Sequence, residues 1–243
     1  SNSCTKGLSK DVPKDDVKLL ITVKEHLRSV NSRKKDIENN IAANRSALRY
    51  FKKKAIKIPL LDKLTKNLET ANDSWTTTKT MAPICAERIS AANQIWAEKT
   101  SFKIEAYEKE LESKLSKFRE LLFWSYTDRN GEKLGSSMAR KAIAEAEVNL
   151  QSEVRILEEN SYLCNIFDLD GQIDVSRGII DEMKMDLKEM SKLWEVSEGL
   201  EEYIRSSEAL LWSAVDAESL EDGGKAQLKA VKGLNKSTRW SPA

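Results

Sequence analysis

Apolar residues return at every seventh position near the start of this chain. One set is Leu20, Leu27, Lys34, Ile41, Leu48 and Ala55; the other is Val23, Val30, Ile37, Asn44, Phe51 and Ile58. Ten of these twelve positions are apolar. A heptad sustained in one phase predicts a long helix with a single sticky seam. Such a seam cannot be buried by its own helix, so it must find cover. The repeat leaves open whether the cover is another part of this chain or another copy.

The same reading extends to the rest of the sequence. Residues 1–14, with Gly7 and Pro13, read as a lead-in loop. A first helix is expected from about Asp15 to Lys57, roughly 60 Å at ~1.5 Å per residue, with Pro59 as its stop. The seam resumes through Leu61, Leu64, Leu68, Trp75, Ala82, Ile89 and Trp96, and Pro83 should kink or break that helix. The phase slips near Lys99, and a new stripe of Leu111, Leu115, Phe118 and Leu122 carries on to about Tyr126. Asp128-Arg-Asn-Gly131 is turn chemistry. A third helix is expected over Ser136 to Asn165, with Ala139, Ile143, Ala146, Leu150, Val154 and Leu157 inward. Phe167 to Gly171 reads as a loop. A fourth helix starts near Val175 on a stripe of Ile180, Met183, Leu187, Met190 and Trp194, with a disturbance at Gly199. Asp216 is placed to cap a last helix carrying Leu220, Leu228, Val231 and Leu234. The expected fold is therefore all-α: an elongated stack of long-helix bundles with coiled-coil-like seams. Its expected divisions are 15–126, a loop at 127–135, then 136–189 and 190–243.

Composition supports that class. Only 9 Gly and 4 Pro punctuate 243 residues, and 33% of the chain is charged. Cys4, Cys85 and Cys164 are odd in number and far apart, so a disulfide framework is not expected and a reducing compartment is. No apolar run approaches the ~20 residues that cross a bilayer, and no membrane partner is expected. The missing initial Met suggests a slice of a larger protein. Net charge is only +1, yet residues 1–58 carry 15 Lys/Arg against 6 Asp/Glu, and residues 145–222 carry 6 against 21. This polarity has two readings: solvated faces that attract one another, or a basic arm for an acidic partner such as nucleic acid or tubulin. The candidate contact patch is Arg49, Lys52, Lys53 and Lys54. Aromatic interleaving beyond Phe51 is absent, so nucleic acid is not the expected partner.

Catalytic constellations are not found. His26 is the one histidine, read as a surface residue, so no zinc pair and no His-based triad can form. Gly223-Gly224-Lys225 misses the phosphate loop, because Ser219 and Ala226 stand where Gly and Ser/Thr are required. Asp168 to Asp174 misses the calcium loop, because its twelfth position is Arg177 or Ile179 in place of Glu. No catalytic, metal-binding or cofactor-binding residue is assigned. The candidate packing and interface residues are Leu27, Ile41, Phe51, Trp75, Trp96, Phe167, Trp194, Trp212 and Trp240. Trp96 to Trp212 and Trp124 to Trp240 are each 116 residues apart, a spacing that either marks two related helical units or is chance.

The last third carries a more particular order of motifs. Glu158-Glu-Asn-Ser-Tyr-Leu163 leads into Ile166-Phe-Asp-Leu169. Ile179-Ile-Asp-Glu-Met183 and Asp186 to Trp194 (DLKEMSKLW) come next. Leu211-Trp212, Val215-Asp-Ala-Glu-Ser-Leu220 and Leu234 to Trp240 complete the series. This order resembles the tail of a dynein heavy chain running into its linker. The likeness is closest over residues 158–243 and looser over 15–126, where Ile56 to Pro59 matches a break before the helix holding Trp75. Val215-Asp-Ala-Glu departs conservatively from the family's "ID-x-E" turn. The resemblance implies a non-catalytic tail segment of an ATP-driven microtubule motor, with residues 190–243 as the start of the linker. ATP and Mg would belong only to the parent motor's ring. The implied partners are other dynein heavy, intermediate, light or light-intermediate chains, the rest of the same heavy chain, and microtubules or axonemal doublets through the parent complex. The implied setting is the cytoskeleton of the cytoplasm, and of the cilium or flagellum. The alternative is a spectrin- or plakin-like rod, whose repeat of roughly 106 residues the Trp spacings do not match.

Overall fold

The computed structural model describes residues 2–9, 11–54, 61–127, 131–211, 213 and 215–239. Eight helices carry the described residues: α1 (Asn2–Leu8), α2 (Val17–Lys53), α3 (Leu61–Arg88), α4 (Ser90–Phe118), α5 (Ser136–Phe167), α6 (Asp174–Glu208), α7 (Ala217–Gly233) and α8 (Lys236–Arg239). No strand occurs among them; one isolated bridge pairs Thr127 with Lys133. The fold class is all-α. Residues 1–101 with 163–169 form one compact unit, and 102–162 with 170–243 form another. The first unit includes residues 163–169 because Ile166 and Phe167, at the end of α5, join the core that Leu20, Val23 and Trp75 form.

The first unit is built on the paired seams of α2 and α3. Asp16 caps α2, its carboxylate accepting from the Leu19 N–H at 2.9 Å. Leu20, Val23 and Val30 of α2 meet Trp75, Ala82 and Cys85 of α3, with Ile89 and Ala92 beyond them. The expected lead-in loop holds a helix instead. α1 is a single short element, yet Leu8 is 1% exposed and Thr5 hydrogen-bonds Thr78 of α3 at 2.9 Å. The backbone of Gly7 lies under the His26 ring so closely that a Cβ there would meet the ring at 2.2 Å. His26 is therefore half-buried against α1 and is not the surface residue expected from its polar neighbours. The heptad count missed α1 because seven residues are too few to show a period.

Pro83 does not break its helix. It removes one i→i−4 donor, but α3 runs on to Arg88. Burial of Ala82, Cys85 and Ile89 on the same side holds the helix across the gap. The interruption falls at Ile89, a one-residue turn before α4.

The second unit packs α4 from Phe102 onward, α5 as far as Tyr162, α6, α7 and α8. Most of the expected inward stripes are found: Ala139, Ile143, Ala146, Leu150 and Leu157 on α5, and Ile180, Met183, Leu187, Met190 and Trp194 on α6, are buried, while Val154 is half-buried. α4 stops at Phe118 rather than near Tyr126. A 3-10 turn at Leu122–Trp124 then drives Phe123 fully inward. Phe123 stacks edge-on with Phe118 at 5.7 Å, and its carbonyl accepts from the buried Trp194 indole at 2.8 Å. A strict stripe would have left Phe123 facing away; the turn reverses it.

α6 crosses Gly199 without a break. Gly199 and Gly223 serve the approach of α7. A Cβ on Gly223 would lie 2.6 Å from the Tyr203 ring, and the Tyr203 hydroxyl donates to the Leu220 carbonyl at 2.6 Å. The Gly-Gly pair that faintly suggested a phosphate loop is a notch for an aromatic ring. On α7, Leu228 is exposed rather than inward, while Leu234 just beyond it is buried.

Among the described residues Trp194 is the largest fully buried side chain. Trp194→Ala should cost about 3–5 kcal/mol, combining a large cavity with an orphaned Phe123 carbonyl. Urea denaturation followed by circular dichroism measures this; a midpoint within error of the parent would show the ring is dispensable.

Candidate interaction site

Among the described residues no three His, Cys, Asp or Glu side chains are grouped to hold a metal, and no helix is long and apolar enough to cross a membrane. Cys85 and Cys164 are both buried. The notable polar chemistry is charge buried at helix flanks.

Its centre is Lys24 on α2. The side chain is 9% exposed, and its ammonium reaches the Asp168 carboxylate at 2.9 Å and the Asn93 amide oxygen at 2.6 Å. It also lies 5.4 Å from the centroid of the buried Phe167 ring. Arg28, one turn on, holds the other Asp168 oxygen at 2.7 Å and donates to the Asn165 side chain and carbonyl. Asp168 sits just past the end of α5 with φ +59°. Its neighbour Leu169 donates back to the Cys164 carbonyl at 2.9 Å, the six-to-one bond of a helix C-terminus that usually has Gly at the left-handed position. An Asp stands there because its carboxylate is needed by two cations. Burial disfavours its ionisation, but the Lys24 and Arg28 hydrogen bonds outweigh that and hold its pKa below the usual carboxylate range. The sequence marked Asp168 as a loop residue, as part of a failed calcium loop and within the Ile166 to Leu169 motif, but not as an ion-pair partner. No spacing along the chain links it to Lys24, 144 residues away.

Further along the paired helices the seam opens. Leu27 and Ile41 are half-buried, and Trp75 is buried between them. The Trp75 indole N–H lies toward Glu38 without full hydrogen-bond geometry. Lys79 holds Glu38 at 2.6 Å, and that bond keeps the Glu38 carboxyl below its ordinary pKa. Phe51 is half-buried and edge-on to the exposed Tyr50 at 6.1 Å. Arg49, Lys52, Lys53 and Lys54 are all exposed on the last turns of α2. Trp96 is half-buried; its indole donates to the Lys14 carbonyl at 2.9 Å and Lys99 lies 4.4 Å from its ring centroid. Phe167 and Trp194 are core residues, each in its own unit. Trp212 and Trp240 lie outside the described residues, and so do both 116-residue spacings that depend on them.

Two charged contacts in the second unit also went unread. Glu201 of α6 accepts from the Ser136 hydroxyl at 2.7 Å at the start of α5, with Lys133 at 3.1 Å. A carboxylate there complements the helix N-terminus. Burial opposes its charge, but Ser136 and Lys133 win and its pKa is lowered. Glu153 of α5 meets Lys114 of α4 at 2.7 Å, and its carbonyl accepts from the Tyr107 hydroxyl at 3.1 Å. Burial first, and Glu153 second, push the Tyr107 phenol up to about 12.

No family model matches the chain. It is 25% identical over 183 residues to the flagellar outer-arm dynein alpha chain of Chlamydomonas reinhardtii. The match covers 75% of this chain and 4% of that protein, so the chain spans a small fraction of its relative's length. The likeness fits a segment of a dynein heavy chain.

The Asp168 pairing gives a pH prediction. A carboxyl with a depressed folded pKa stabilises above its unfolded value of ~3.9 and loses that stabilisation as pH falls through the folded value. Asp168→Asn should therefore be less stable at pH 7 by about 1–2 kcal/mol, a figure discounted for the exposure of Asp168. The gap to the parent should close in acid below about pH 3. Melting temperatures of both proteins across pH 2–7 measure this, and a gap that persists unchanged in acid would refute the pairing.

Proposed function

We propose that this chain is a non-catalytic tail segment of a dynein heavy chain, a microtubule-based motor. It acts as a helical strut between the base that anchors the motor and the linker and ATPase ring that generate force. The observation that carries this reading is the likeness over 183 residues to a flagellar outer-arm dynein chain. Two features of the chain support it. Its described residues are helices, several of them about 30 residues or longer. Those helices grip through apolar stripes whose many small contacts add up to stiffness.

The side chains that might suggest chemistry are engaged in packing. His26 covers Gly7, Gly223 receives Tyr203, and Asp168 is taken by Lys24 and Arg28. Nucleotide and magnesium belong, in this reading, to the parent motor's ring. The partners would be other dynein chains and the rest of the same heavy chain, with the doublet microtubule reached through the complex. The location would be the axoneme of a cilium or flagellum.

The purified chain should hydrolyse ATP no faster than a buffer blank, with or without microtubules. An antibody raised against it should decorate isolated axonemes along their doublets. Steady turnover, abolished by substitution within this chain, would sink the strut reading, as would labelling that avoids axonemes altogether.

A further inference from the structure

The flank of α2 that holds Asp168 does not end with Lys24 and Arg28. Steps of three, four and seven residues lead on from them through Lys35, Glu38, Arg45 and Arg49 to Lys52, and such steps keep residues on one side of a helix. At the lower end this flank is covered, with Phe167 and Ile166 closing the core beside the ion pairs. Beyond Asn31 the described residues leave it open. Two cavities, of about 480 and 630 Å³, lie in the angle between α2 and α3 and share Trp75, Lys79 and Pro83. Leu27, Ile41 and Ala82 supply the rest of an apolar floor. Arg45 lines the α2 wall, with Arg49 and Lys52 in the next turns, and none of the three meets a carboxylate among the described residues. On the α3 wall, Asn72 and Thr76 are neutral and the charge of Lys79 is taken by Glu38.

We propose that this groove is the seat of a third helix, supplied by a partner polypeptide, with a heptad apolar stripe and an acidic flank laid against α2. The chain itself displays the chemistry. Where its own α5 turn reaches the flank, a carboxylate is received by two cations above an apolar core. Higher up, the same row of cations stands over the same kind of seam, and no carboxylate arrives from within the described residues. An apolar floor does not suit a nucleic-acid backbone, and Trp75 is too deeply buried to stack on a base. A second copy of α2 would bring like charge and be repelled. A helix-in-groove partner with acidic residues beside its apolar anchors fits both the floor and the wall. This inference is drawn from the groove alone and does not depend on the strut reading.

The test uses the full chain and a labelled synthetic peptide of four heptads, about 28 residues, with Leu and Ile in the stripe and Glu along one flank. Fluorescence anisotropy should show saturable binding that weakens with salt. R45E/R49E/K52E changes only exposed side chains, so its melting temperature should match the parent's while binding falls about tenfold or more. A peptide with Lys in place of Glu should bind that variant and not the parent. Ala42→Trp, which fills the groove without altering charge, should also block binding. Absence of saturable binding would overturn the proposal, as would equal binding by a peptide of the same composition with its stripe scrambled. So would sedimentation showing that the chain self-associates through the same three cations, or tighter capture of a duplex RNA oligonucleotide by the parent.

Discussion

A 37-residue helix has more apolar seam than a seven-residue helix can cover. That mismatch governs the first unit. α2 and α3 pair along their length, but two helices bury only the strip where they face each other, and each seam is wider than that strip. α1 closes one side near Leu20 and Val23, through Leu8, Thr5 and the close approach of Gly7 to His26. The turn after α5 closes the other side, bringing Ile166 and Phe167. Where those two covers run out, Leu27, Ile41 and Phe51 pass from buried to half-exposed surroundings although the heptad continues unchanged.

The edge of the cover is also where charge is handled most carefully. Lys24 can stay almost completely out of water because Asp168, Asn93 and the Phe167 ring together replace its hydration. An ammonium so deep would otherwise carry a large desolvation cost. The second unit solves its own boundary problems with the same tools. Glu201 satisfies the start of α5 from a neighbouring helix, and the Phe123 carbonyl satisfies the Trp194 indole. In each case a polar group close to the core is matched by a partner from a distant stretch of sequence. Such pairs fix which helix lies against which, where apolar contacts alone would tolerate sliding.

In the proposed strut role these features would have a mechanical sense. Seams resist bending through numerous weak contacts, while isolated ion pairs and hydrogen bonds set register. An open groove with a basic wall is then a place where a further helix could be added without disturbing what is already packed.

Much of this could be read before any coordinates. The 3.6-residue period on α5 and α6 identified ten buried positions from Ala139 to Trp194, though not Asn160, Cys164, Ile166 or Ser176, because a regular helix presents its stripe to whatever it packs on. The Asp216 cap and the loop between α5 and α6 were equally legible, since capping and turn chemistry are local. What could not be read came from non-local geometry. α1 is too short to show a period, and Phe123 faces the core only because a 3-10 turn rotates it there. Gly7 and Gly223 are glycines because of rings 19 and 20 residues away in sequence. Asp168 is paired because the turn after α5 lands beside α2. Periodicity decides which face of each helix seeks burial; how far along the face that need is met depends on which elements arrive and where they stop, and only packing in three dimensions sets those limits.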